Sequence, residues 1–138
     1  MNQGLMFYPC LALIALTFIA LVTMFKARQA ALKSGDISAG YFKTYDNGEK
    51  LPRKARQAER LFHNLQESTP IFYFLCAATM ALGMVDAVYL ALAWSYVGLR
   101  TFQSIVHLTS NKLPARAGLY ALSWAVMIAF VIRLAVQI

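Results

Sequence analysis

The sequence predicts an all-α integral membrane protein, a four-helix bundle forming one domain over residues 1–138. Three observations carry this. Of 138 residues, 59% are apolar and only 14% charged, with mean hydropathy +0.53, values far from those of an ordinary soluble domain. Leu5 to Phe25 is a run of 21 residues without a charge, enough at about 1.5 Å per residue to cross a hydrocarbon core of roughly 30 Å. Three further largely apolar segments follow, the last two behind short polar joints.

The first span is expected over 5–25. Its flank, Met-Asn-Gln-Gly, lacks the basic start of a signal peptide, so the span is expected to be retained. A loop over 26–59 comes next, with turns at Gly35, Gly40, Gly48 and Pro52. From Pro52 the pattern reads as a helix that runs into the second span, 60–85. Gly83 and Asp86 form a tight joint, the first leaving one helix and the second capping the next, so spans two and three (87–109) make an antiparallel hairpin. Pro114 suits the first turn of the fourth span, 115–137. Cys10 and Cys76 have apolar neighbours and read as packed thiols, and no metal-ligand spacing is present.

Charge sets the orientation. Between Lys26 and Arg60 lie nine basic residues against four acidic ones, and the third joint adds Lys112 and Arg116. The positive-inside rule puts both segments in the cytoplasm and both termini on the other side. The net charge of +7 then reflects topology and anionic lipid headgroups as partners. Nucleic acid does not fit, because the basic residues flank membrane spans and no soluble domain accompanies them. Short length and lean loops point to a bacterial inner membrane.

The apolar pattern is interrupted by polar stripes. On span two, Asn64 and Glu67 fall within about 40° of Arg60 around the helix. On span three, Ser104, His107 and Asn111 fall within about 40° of Arg100, with Gln103 about 60° away. Arg116, Tyr120 and Ser123 form a third stripe. Charges in hydrocarbon cost on the order of 3 kcal/mol each and usually serve a site. An Arg100–Glu67 ion pair that only fixes helix register is the structural reading, with His63 and His107 as packing residues. Against it, Arg60, Arg100 and Arg116 outnumber Glu67. That surplus suits a carboxylate-bearing ligand, with Glu67 and Asn64 holding an ammonium or amide.

Arg60-x-x-x-Asn64-x-x-Glu67 followed by Pro70 resembles the second helix of MAPEG, the membrane-associated proteins in eicosanoid and glutathione metabolism. The spacing of Arg100, Pro114, Arg116 and Tyr120 resembles that family's prostaglandin-synthase branch. The resemblance covers all four spans. It implies a homotrimer of four-helix subunits that binds glutathione as co-substrate between neighbours, near the cytoplasmic side. Arg60, Asn64, Glu67, Arg100 and Arg116 would then be glutathione-contacting positions and Tyr120 an aromatic near the thiol. Lys26 falls near a basic residue that the family places at the end of helix one, and His107 stands where the branch has Tyr. Gln103 replaces a His, and Ala117 a Ser.

The implied activity is a glutathione transferase or peroxidase acting on lipophilic electrophiles, with Arg116 as the catalytic group that stabilises the thiolate. A non-catalytic scaffold or lipid-binding protein of the same fold is the alternative, since the departures lie nearest the chemistry. A haem protein using His63 and His107 is the outside alternative.

Overall fold

The computed structural model describes all residues from Met1 to Ile138. It contains only helices. A 3-10 turn at Gln3–Met6 leads into α1 (Phe7–Lys33); α2 (Tyr41–Thr44), α3 (Arg53–Ala81), α4 (Ala87–Leu108) and α5 (Leu113–Gln137) follow. Helices α3 and α4 touch each other and both flanking helices, while α1 and α5 do not meet. The two stripe-bearing central helices therefore lie between the two most apolar ones. Gln3–Lys33 and Leu113–Gln137 are long and apolar enough to cross a membrane.

The segment read as a loop over 26–59 is helical at its start as well as over the stretch expected to be helical from Pro52. Helix α1 continues past Phe25 to Lys33 because Ala27 to Lys33 is rich in strong helix formers and holds no breaker. It ends at Gly35, whose φ of +78° favours glycine. Helix α3 begins at Arg53, directly after Pro52. The true connection is thus 34–52, and it is pinned: Ile37, Tyr41 and Leu51 pack with Ala31 and Ala55. Arg28 pairs with Glu59, and its guanidinium lies 5.2 Å from the Phe42 ring centre and 5.5 Å from that of Tyr45. In the same connection Glu49 accepts the Ser38 backbone N–H at 2.7 Å, which holds its carboxyl below the usual range.

The joints follow their sequence signals. Gly83 leaves α3 with φ of +68°, and the Asp86 carboxylate caps α4 by accepting the Tyr89 N–H at 2.9 Å. Pro114 lies in the first turn of α5, which begins at Leu113, two residues before the expected start. The core fills the half of the molecule nearer the Gly83–Asp86 joint, where Met6, Leu13, Phe72, Cys76, Tyr89, Met127 and Phe130 pack together. Phe72 stacks on Tyr96 with ring centres 4.6 Å apart. Arg133 of α5 pairs with Asp86, and Tyr89 donates to Gln137 at 2.5 Å. Cys10 and Cys76 are both buried and unbridged, as expected of packed thiols.

Candidate functional site

Away from that apolar core, the three stripes converge. Arg100 is completely buried. Its Nη1 donates to Gln103 Oε1 at 2.6 Å and its Nη2 to the Asn64 backbone carbonyl at 2.6 Å. Gln103 Nε2 in turn donates to Asn64 Oδ1 at 3.1 Å. The Arg100 guanidinium also lies 5.3 Å from the Tyr120 ring centre, and the Tyr120 hydroxyl donates to Glu67 Oε2 at 3.0 Å. One network therefore joins Asn64 and Glu67 of α3, Arg100 and Gln103 of α4, and Tyr120 of α5.

The direct Arg100–Glu67 ion pair is not formed. The two ion pairs of the chain are Arg28–Glu59 and Arg133–Asp86. Arg100 is held by neutral acceptors and an aromatic face, which leaves Glu67, exposed at the surface, without an ion-pair partner. Such a carboxylate is available to a ligand's ammonium group.

The other site residues line a cationic cavity of about 190 Å³ formed by Arg53, Arg56, Gln57, Arg60, His107, Asn111 and Arg116. No acidic or apolar side chain lines it. Arg116 Nη1 donates to Asn111 Oδ1 at 2.7 Å, and Asn111 reaches that position with φ of 48°, a left-handed conformation that Asn tolerates. The Gln57 amide donates to the His107 backbone carbonyl, tying α3 to the end of α4. The His107 ring is 3% exposed, yet neither ring nitrogen has a partner in the chain. Leaving a buried polar group unpaired costs about 1–3 kcal/mol, and this ring carries that cost beside the cavity.

A larger cavity, about 570 Å³, lies on the other side of Arg60, between α1, α2 and α3. Arg28, Tyr41, Tyr45, Glu59, Phe62 and His63 line it together with Arg56 and Arg60. His63 opens here and His107 into the smaller cavity, so the two do not make an axial pair, and the geometry removes the basis of the haem reading. Lys26 is exposed on α1 and joins neither the network nor the cationic cavity.

Sequence reasoning missed Arg53, Arg56 and Gln57 as lining residues and left Gln103 outside the site. A signal was present. Counting back from Arg60 at 100° per residue puts Arg56 about 40° and Arg53 about 20° from it, so the stripe of α3 extends two turns earlier than the motif. The stripe was cut short because those residues, although expected on the helix that starts at Pro52, read only as the basic charge that sets orientation.

No curated protein and no solved structure matches the chain. A family model described as MAPEG family matches residues 6–136. That match takes in α1 whole and runs to within one residue of the end of α5. With its apolar outer helices and its stripes gathered at one end, this chain belongs to the MAPEG family, membrane proteins of eicosanoid and glutathione metabolism.

Proposed function

We propose that the chain binds glutathione and uses it as co-substrate in a transferase or peroxidase reaction on lipophilic electrophiles that arrive from the bilayer. In this reading all four long helices cross the membrane as a bundle, three subunits assemble, and the cationic cavity opens to the cytoplasm of a bacterial cell. One observation carries the reading: a carboxylate without an ion-pair partner and a cluster of arginines sit at two ends of the same helix face. Glu67 and Arg60 are seven residues apart on α3, about 10.5 Å along the axis. Glutathione carries an ammonium and two carboxylates, so Glu67 and Asn64 suit the ammonium, and Arg60 and Arg116 suit a carboxylate.

Arg116 supplies the chemistry. A free thiol with pKa near 8.5 is mostly protonated at neutral pH. Asn111 engages one Arg116 nitrogen, leaving other guanidinium donors to stabilise the thiolate as it forms. The sulfur then attacks the electrophilic carbon, forming a C–S bond as the leaving group departs with its electron pair. With a peroxide it attacks an oxygen, breaking the O–O bond to give an alcohol and a sulfenic acid that a second glutathione converts to the disulfide and water. In the trimer, Lys26 would reach a neighbour's site, which accounts for a basic side chain that finds no partner within one subunit.

The reading is tested by calorimetric titration of the detergent-purified protein with glutathione, alongside Glu67→Gln and Arg116→Ala. Saturable binding that weakens in Glu67→Gln supports it. No binding by a folded wild type overturns it. A second reading, a non-catalytic scaffold or lipid-binding protein, is favoured by one observation: the Gln103 side chain is consumed in holding Arg100 and Asn64. Binding without turnover across a panel of electrophiles would select it.

A further inference from the structure

The arginines of the cationic cavity are placed against the helix dipoles. Arg53, Lys54 and Arg56 fall in the first turn of α3, and Arg116 in the first turn of α5. Neither turn contains an acidic residue, and neither helix has a side-chain cap, whereas Asp86 caps α4. A helix N-terminus carries partial positive charge and unpaired N–H groups, so cations there are unfavourable and an anion is favoured. Two such ends and four guanidiniums meet around one cavity without a single carboxylate. The buried, unpartnered His107 ring lines the same space. At about 190 Å³ the cavity has room for roughly six waters at about 30 Å³ each, which suits a tetrahedral oxyanion rather than a whole tripeptide.

We propose that this cavity binds a phosphate monoester or inorganic phosphate, with Arg53 and Arg56 forming its outer rim and Arg60, His107 and Arg116 its floor. The ligand chemistry is a multiply charged tetrahedral oxyanion. It comes either from a soluble phosphate or from the monoester headgroup of a membrane lipid. Because the floor overlaps the positions assigned above to glutathione, phosphate occupancy weakens glutathione binding; this part alone rests on the glutathione reading.

The test is calorimetric titration of the wild type with inorganic phosphate in a phosphate-free buffer, with chloride at matched ionic strength as reference. A second arm compares bilayer discs containing phosphatidic acid with discs containing phosphatidylglycerol. Both arms are repeated on the Arg53→Gln/Arg56→Gln double variant, which leaves the glutathione-assigned residues intact. The expected result is saturable phosphate binding that falls at least tenfold in the double variant. Selective binding of phosphatidic acid alone, lost in the double variant, identifies the lipid as the source. The proposal is overturned if the wild type prefers neither phosphate to chloride nor phosphatidic acid to phosphatidylglycerol, or if the double variant binds as the wild type does. Glutathione titrated separately keeps the two readings distinct, since phosphate binding without glutathione binding would remove only the latter.

Discussion

Arg100 communicates with Glu67 through Tyr120 rather than by contact. The guanidinium lies 5.3 Å from the centre of the Tyr120 ring, and the Tyr120 hydroxyl is 3.0 Å from Glu67 Oε2. The aromatic face partly balances a buried charge while the hydroxyl positions an exposed carboxylate, so one residue of α5 serves both ends of the network.

Substitution at Tyr120 separates these two roles. Tyr120→Phe keeps the ring over Arg100 and removes the hydrogen bond, with an expected stability loss of about 0.5–1.5 kcal/mol. Tyr120→Ala also removes the cation–π contact, adding about 0.5–2 kcal/mol. Thermal unfolding in detergent measures both, and equal losses in the two variants would contradict the assignment.

Removing Arg100 is expected to cost more. In Arg100→Ala the Asn64 carbonyl and Gln103 Oε1 both lose their donor, at about 1–3 kcal/mol for each acceptor left unpaired. The same unfolding measurement checks it. A change below that range would mean that water replaces the guanidinium without penalty.

His107 should behave in the opposite way. Both ring nitrogens are unpartnered, so His107→Phe is expected to leave stability unchanged or raise it by about 1 kcal/mol. Affinity for an anionic ligand should fall in the same variant. Paired melting curves and titrations test this, and a large loss of stability would show that the ring is structural.

Asp86 predicts a pH dependence. The Tyr89 N–H and then the paired Arg133 guanidinium hold its carboxyl below the usual range. With the folded pKa depressed, the stabilisation is present above the unfolded value near 3.9 and is lost as pH falls through the folded value. Melting temperature between pH 3 and pH 7 should therefore drop at the acid end, and the drop should be smaller in Asp86→Asn. Asparagine still caps the helix, so Asp86→Ala should lose a further ~1 kcal/mol at neutral pH.

The connection 34–52 depends on Arg28. In Glu59→Ala the half-buried guanidinium loses its charged partner, a loss of about 1.5–3 kcal/mol for a hydrogen bond to a charged group. The expected outcome is faster proteolysis and hydrogen exchange between Tyr41 and Gly48, with exchange in α4 unchanged.

The Gly83 exit, the Asp86 cap and the Pro114 start follow from local chemistry: a left-handed residue, a short acceptor and a fixed φ need no distant partner. Two apolar helices and the stripes that line up Arg60 with Glu67 and Arg100 with His107 were legible for the same reason, because helical period alone sets which residues share a face. The length of α1 was less legible. Basic residues from Lys26 onward read as loop, although charge does not break a helix.

What only the tertiary structure decided is which polar group meets which. Helical period places Arg100 on a face but gives neither the rotation of α4 against α3 nor the reach of Tyr120 from α5. Those decide that Arg100 takes the Asn64 carbonyl and Gln103 in place of Glu67. The same packing turns Arg53 and Arg56 from basic charge on a helix into the lining of a cavity. Residue types and spacing thus determined the helices and the chemistry available, while helix packing determined the pairing, because a hydrogen bond forms only over a few tenths of an ångström that no one-dimensional pattern encodes.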